Sequence, residues 1–126
     1  MKVMLDTTFV IDHQRRVPAA VQRMHEMLER GDEPIVTSVV VSEAWVGARE
    51  PGDPTLVRFL QYLEYVHAGP ETARVAGEFR ADARRRGCTL GLADALIAAS
   101  AFHLDATVLT RNVRDFELTP VRLETY

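Results

Sequence analysis

The stretch MKVMLDTTFVID, residues Met1–Asp12, decides how the fold begins and where its chemistry can lie. Lys2–Leu5 is a mostly apolar run that is too short for a helix, so it predicts a buried strand. Asp6 follows directly, where the backbone leaves the sheet. Because open α/β sheets bind ligands at the carboxyl ends of their strands, Asp6 is a candidate functional residue. It could instead cap a helical turn that starts near Thr8, and this stretch alone does not separate the two interpretations.

The composition is that of an ordinary globular protein, and we expect one domain over residues 1–126. Hydrophobic residues make up 47% of the chain and charged residues 26%. No apolar run approaches the roughly 18–20 residues of a membrane span, and Asp6 interrupts the N-terminus before a signal-peptide core could form. The single cysteine, Cys88, suits a reducing cytoplasm. A net charge of −3 gives no global attraction to nucleic acid, so a polyanionic partner would need a local basic patch or a bound cation.

Strands and helices alternate along the chain, which predicts an α/β fold with a mostly parallel sheet. After the first strand, short β-rich runs predict strands at Ile35–Thr37, Tyr65–His67, Thr107–Thr110 and Val121–Leu123. Helical spacing predicts helices over residues 19–30, 55–63, 70–86, 91–104 and 112–116. One more helix is predicted to start at a cap, either Ser38 or Ser42, and to run to about residue 49.

Several acids fall at equivalent places on this predicted scaffold. Asp6 follows the first strand, and Asp115 and the amide Asn112 follow the fourth. Glu43 and Asp94 lie in the first turns of two helices. The carboxyl ends of parallel strands and the starts of the following helices share one edge of a sheet, so these side chains are expected to converge.

A cluster of carboxylates requires a neutralising partner. Two like charges at ~4 Å repel by ~4 kcal/mol at an effective dielectric of 20, so either pKa values rise or a cation binds. Oxygen ligands suit Mg²⁺ or Mn²⁺ better than zinc. The four histidines have no ligand spacing, and Cys88 has no visible catalytic partner, so we interpret them as structural.

Each acid taken alone has a simpler structural interpretation. Glu43 and Asp94 could be favourable charges at helix starts, and Asp115 a turn residue. Asp6 and Asp94 are the hardest to explain in this way, because both lie in strongly apolar surroundings where an acid needs a partner. Taken together, the acids favour a metal site.

Four motifs, in this order, resemble those of the PIN-domain nucleases, and more narrowly of the VapC toxins of bacterial toxin–antitoxin pairs. They are Val3-Met4-Leu5-Asp6-Thr7-Thr8, Ser42-Glu43, Leu92-Ala93-Asp94-Ala95-Leu96-Ile97-Ala98 and Leu109-Thr110-Arg111-Asn112-Val113-Arg114-Asp115-Phe116. The resemblance spans nearly the whole chain. It implies a Rossmann-like three-layer α/β/α sandwich and a Mg²⁺-dependent endoribonuclease that cleaves RNA. It also implies a homodimer held inactive by a small antitoxin.

The same resemblance implies roles for individual residues. Asp6 and Asp94 would be the principal metal ligands, and Glu43 would complete the acidic cluster directly or through water. Asn112 stands where many PIN domains have a fourth acid, so Asp115 would serve instead, and the number of metal ions stays open. Thr7 and Thr110 would hydrogen-bond the carboxylates or a bound water.

Substrate contacts are expected from arginines near the rim of such a site. Arg111 and Arg114 flank the fourth motif and are the better candidates for phosphate contact. The run Arg84-Arg85-Arg86 is the densest basic cluster, but it also reads as a solvated helix end that complements the helix dipole. The aromatic side chains are expected in the core or at a dimer surface rather than under stacked bases. They are Trp45, Phe59, Tyr62 and Tyr65.

Three other functions compete with that of a nuclease. A phosphotransferase with an aspartyl nucleophile at Asp6 would need a second acid two residues later, where Thr8 stands. A receiver domain would need a lysine after a late strand, and Lys2 is the only lysine. A non-catalytic binding module of the same fold with a degenerate metal site stays open, and metal-dependent cleavage of RNA would separate it from an enzyme.

Overall fold

A computed structural model describes residues 1–126 and shows a five-stranded, fully parallel sheet flanked by helices. The strands are β1 (Lys2–Leu5), β2 (Glu33–Thr37), β3 (Glu64–Val66), β4 (Thr107–Leu109) and β5 (Leu123–Glu124). The helices are α1 (Thr7–Gln14), α2 (Pro18–Arg30), α3 (Ser38–Val46), α4 (Pro54–Gln61), α5 (Pro70–Arg85), α6 (Leu92–His103) and α7 (Val113–Phe116). The predicted α/β architecture is confirmed.

Strand β1 occupies the centre of the sheet, whose strand order is β3-β2-β1-β4-β5. It pairs with β2 on one side, where Met4 lies opposite Ile35, and with β4 on the other, where Met4 lies opposite Val108. Val3, Met4 and Leu5 are completely buried. A strand covered on both faces needs a continuous rather than an alternating apolar run, and this explains the opening sequence.

Helix α6 joins the sheet to the outer helix α5. Its alanines allow close approach: Ala98 and Ala101 belong to the main core, whereas Ala95 and Ala99 pack with residues of α5 in a second hydrophobic cluster. This packing fixes the beginning of α6 next to the end of the central strands. None of the helices is both long and apolar enough to cross a membrane.

The observed boundaries differ from the predicted ones at a few places. Helix α3 is capped by Thr37, whose hydroxyl accepts from the Val40 N–H at 3.4 Å, and not by either predicted serine. That helix ends at Val46, before the predicted end near 49, and β3 begins and ends one residue before its prediction. The last strand begins at Leu123 rather than Val121, because β4 has only three residues and its pairing partners are Leu123 and Glu124.

Candidate active site

Asp6 is the most deeply buried acid at the carboxyl edge of the sheet, with 2% of its surface exposed. Two hydroxyls donate to its Oδ2 atom, that of Thr110 at 2.6 Å and that of Thr8 at 2.9 Å. Asp6 occupies the N-cap position of α1, but its side chain makes no capping hydrogen bond. The capping interpretation is therefore wrong. Both hydroxyls use the same oxygen, which leaves Oδ1 without a side-chain donor.

Asp94 lies in the first turn of α6 and is half-buried. The side-chain amide of Asn112 donates to Asp94 Oδ2 at 3.3 Å and to Asp115 Oδ2 at 2.9 Å, so one amide joins two carboxylates. Burial, and after it the charges of Asp6, Asp115 and Glu43 in that order, together raise the pKa of Asp94 to about 6. These four acids, from four separate segments, therefore share one electrostatic environment.

Glu43 lies at the exposed rim of this group, on the second turn of α3. The hydroxyl of Thr7, itself buried, donates to Glu43 Oε1 at 3.1 Å and links α1 to α3. Glu43 therefore has a fixed orientation while its remaining lone pairs face solvent.

The donor set fits a hard divalent cation. All the groups are oxygens, and their mutual repulsion would be relieved by a positive charge. No three acidic, histidine or cysteine side chains form a ready-made set of direct ligands. The fit is thus to a cation that contacts one or two carboxylates and keeps several waters, as Mg²⁺ does.

The arginines expected at the rim are used in different ways. Arg111 forms an ion pair with Asp12 at 2.7 Å, and Arg114 is exposed on α7. At the end of α5, Arg85 and Arg86 both pair with Asp82, at 3.9 and 2.7 Å, while Arg84 is exposed. Arg86 also donates to the carbonyl oxygen of Leu118 at 2.7 Å. These bonds within and beside α5 match the helix-end interpretation of that run.

Three residues near the site did not emerge from the sequence: Thr8, Asp12 and Tyr126. A usable signal existed for the first two, because Thr8 and Asp12 are four residues apart and so share one face of α1. Asp12 also lies beside Val10 and Ile11, in a helix where an acid needs a partner. No sequence signal connects Tyr126 to them, since its partner is 114 residues away.

The other candidate residues stay apart from the acids. His13 stacks on Phe59 with ring centroids 4.6 Å apart, and burial lowers its pKa. Cys88 is exposed. Trp45 packs against the main core, whereas Tyr62 and Tyr65 are exposed. No histidine or cysteine belongs to the acidic group.

Comparison with known protein families matches residues 3–120 to the PIN domain. Two curated relatives are similar along almost their whole length. One is "Ribonuclease VapC19" of Mycobacterium tuberculosis, 32% identical over 93% of this chain and 94% of the relative. The other is "tRNA(fMet)-specific endonuclease VapC" of Salmonella typhimurium, 27% identical over 98% of this chain and 97% of the relative.

A solved structure has the same fold. It is the VapBC2 complex of Rickettsia felis bound to a DNA fragment from its promoter, which superposes with a TM-score of 0.85 at 25% identity. The superposition covers 100% of this chain and 99% of the matched chain.

Proposed function

The chain belongs to the PIN-domain family, and from that premise we propose that it is an endoribonuclease of the VapC type that depends on a divalent cation. The observation that carries the proposal is the gathering of Asp6, Glu43, Asp94 and Asp115 at one edge of the sheet, where burial first and the charges of the other three acids after it raise the pKa of Asp94 to about 6. Relatives that match nearly the whole chain are named ribonucleases and endonucleases, which supports the same class of reaction.

Each residue has a distinct part in this proposal. Asp6 and Asp94 would hold Mg²⁺, or Mn²⁺, through their carboxylates. The hydroxyls of Thr8 and Thr110 fix the orientation of Asp6. Supporting contacts to the other acids come from the Asn112 amide, which holds Asp94 and Asp115 together, and from Thr7, which orients Glu43.

The reaction would be hydrolysis of an RNA phosphodiester. When bound, the divalent ion supplies a positive charge that acidifies water and stabilises developing charge on phosphate oxygens. Glu43, which is exposed and accepts a hydrogen bond from Thr7, would accept the proton of the attacking water. The water oxygen bonds to phosphorus, the bond from phosphorus to the leaving oxygen breaks, and the leaving oxygen takes up a proton.

We also propose two protein partners. Solved structures of this fold include DNA-bound VapBC complexes, and one from Klebsiella pneumoniae is described as a toxin–antitoxin complex. These descriptions support a small antitoxin that blocks the acidic edge of this chain. A second copy of the chain would complete a homodimer. Cleavage of cellular RNA would place the activity in the cytoplasm.

The test is a cleavage assay on total cellular RNA with purified protein, with added Mg²⁺ or Mn²⁺ and with a chelator. Cleavage that requires the divalent ion, at a reproducible set of mapped 5′ ends, is the expected result. Protein that binds RNA but leaves it intact under all these conditions would instead be a non-catalytic binding module, and the proposal would fail.

A further inference from the structure

Asp12 is a buried acid that the proposed reaction does not use. Its side chain is 7% exposed. Its Oδ2 atom receives two donors, the Arg111 guanidinium at 2.7 Å and the Tyr126 hydroxyl at 2.7 Å. Burial of a carboxylate is unfavourable unless it is paired and hydrogen-bonded, and both requirements are met here by residues distant in sequence. The contact therefore fixes Arg111 in one place.

That place is beside the acidic site. Arg111 directly follows Thr110, whose hydroxyl donates to Asp6 at 2.6 Å. The backbone N–H of Arg111 donates to the Thr8 hydroxyl at 3.4 Å, and this hydroxyl donates to Asp6 Oδ2 at 2.9 Å. Two hydrogen bonds thus connect the Arg111 backbone to the Asp6 carboxylate.

The Arg111 side chain is held but not covered. It is 54% exposed, and its guanidinium carbon lies 5.8 Å from the centre of the Tyr126 ring. Tyr126 is itself braced edge-on against the buried Phe9, with ring centroids 5.0 Å apart. A guanidinium has five N–H donors, and Asp12 contacts the one nitrogen Nη2, so donors remain for a solvent-side ligand.

The pairing also keeps a cation away from the acids. An arginine adjacent to Asp6 and Asp94 would otherwise be attracted to them and would compete with a divalent ion for the same oxygens. Asp12 supplies an alternative carboxylate for Arg111. It lies four residues after Thr8 and therefore on the same face of α1. The guanidinium therefore stays at the rim, oriented towards solvent.

We propose that Arg111 binds a non-bridging oxygen of an RNA phosphate at the rim of the acidic site, and that Asp12 and Tyr126 are positioning residues that hold it there. This inference rests on the proposed function, since it assigns a contact for the same substrate. The planar fork of a guanidinium suits phosphate recognition. Holding it before the substrate arrives reduces the side-chain entropy that binding would otherwise cost.

The chain contains a matched control for this contact. Arg122 pairs with Asp105 at 2.8 Å and is 60% exposed, close to the exposure of Arg111. Asp105 precedes β4 and Arg111 follows it, so the two arginine–aspartate pairs lie at opposite ends of one strand. Loss of Arg122 removes the same charge from the chain at a position away from the acids.

The experiment measures binding of a short, fluorescently labelled single-stranded RNA by anisotropy over a range of salt concentrations. All proteins carry Asp94→Asn to prevent cleavage. Arg111→Gln should weaken binding by about tenfold, as expected for one charge-assisted hydrogen bond. It should also reduce the slope of log affinity against log salt by about 0.7, the value for one phosphate contact with a single strand. Arg122→Gln should leave the slope unchanged.

The positioning role is tested by combining substitutions. Asp12→Asn and Tyr126→Phe should each weaken binding by less than Arg111→Gln does, and neither should weaken it further when Arg111→Gln is present. Arg111→Lys should keep most of the salt slope but lose part of the affinity, since an ammonium keeps the charge without the fork. Thermal melts of each variant check the fold, and Tyr126→Phe removes only one hydroxyl if Asp12→Asn proves unstable.

The outcomes separate this inference from the proposed function. If the parent chain cleaves RNA but Arg111→Gln keeps the parental affinity and salt slope, Arg111 is not a phosphate contact. If Asp12→Asn weakens binding equally with and without Arg111, Asp12 does not act through Arg111 and the positioning role is overturned. If the parent chain neither binds nor cleaves RNA, the proposed function fails, and this inference with it.

Discussion

At the amino edge of the sheet, acids stand next to cations. Asp32 pairs with the amino group of Met1 at 3.0 Å, and Asp105 pairs with Arg122 at 2.8 Å. At the carboxyl edge, Asp6 and Asp94 have only hydroxyl and amide donors, and the nearby cation, Arg111, is bound to Asp12 instead. Asp32 and Asp105 at the amino edge are thus paired with cations, whereas Asp6 and Asp94 at the carboxyl edge are not.

The difference shows which edge is built for stability and which for binding. The exposed pair at the amino edge, Arg122–Asp105, is screened by solvent and contributes little, typically 0–1 kcal/mol. The acids at the carboxyl edge repel one another, and this repulsion destabilises the folded state. A bound cation would relieve it. The candidate site thus differs from ordinary surface because its acids have no cation as a partner.

The largest expected effect comes from removing one charge at the carboxyl edge. Asp94→Asn should reduce RNA cleavage by at least about a thousandfold, since several kcal/mol of cation-based stabilisation would be lost. The measurement is a cleavage assay beside a circular dichroism melt. Asp105→Asn, at the amino edge, is the control and should keep parental activity. Full activity in Asp94→Asn would remove this residue from the mechanism.

A smaller effect is expected from cation binding to Asp6. Saturating Mg²⁺ should stabilise the parent by about 2.7 kcal/mol at a hundredfold excess over its dissociation constant. Asp6→Asn should lose most of that gain, yet without metal be at least as stable as the parent, because the amide oxygen still accepts from Thr8 and Thr110 while repulsion falls. Thermal melts with and without Mg²⁺ measure both. Equal shifts in the two proteins would show that Asp6 does not hold the ion.

The next effect is a pH dependence of the metal-free protein. The pKa of Asp94 is raised from 3.8 to about 6, so the folded state binds this proton more tightly than the unfolded state. The free energy of unfolding should therefore fall as pH rises through that window, by about 1 kcal/mol after allowance for solvent screening of a half-buried group. Denaturant titrations in chelator should show this fall in the parent relative to Asp94→Asn. Parallel curves for the two proteins would contradict it.

The smallest effect is expected at the amino edge. Arg122→Gln should change the free energy of unfolding by less than about 1 kcal/mol, because its partner Asp105 is 87% exposed and solvent screens the pair. A urea titration measures the change. A loss as large as that caused by disrupting the buried core would show that the two edges are not as different as their charges suggest.

The fold was predictable because its signals are local. An apolar run of four residues that opens the chain, followed at intervals by β-branched runs and helical spacing, predicts a parallel α/β sheet, and the structure confirms it. The boundary of the last strand was less predictable. Its two residues are defined by pairing with β4, which no property of Val121 or Leu123 alone reveals.

The meeting of the acids could be expected from the sheet-edge rule, but their detailed contacts could not. The rule places Asp6 and Asp94 at one edge without saying which donors reach them. Thr7 was expected to support a carboxylate and contacts Glu43, whereas the neighbouring Thr8 contacts Asp6. That division depends on side-chain rotamers at the start of α1. The Asp12–Tyr126 contact depends on tertiary packing alone.

The central position of β1 has a consequence for the order of assembly during synthesis. Val3 lies opposite Thr107, so β1 can complete its pairing only after a strand about a hundred residues later in the chain has been made. The hydroxyl of Thr110 can donate to Asp6, and the charge of Asp94 can act on it, only after these later segments have been translated. A nascent chain therefore cannot assemble the acidic centre before residue 110 has been translated and has left the ribosome.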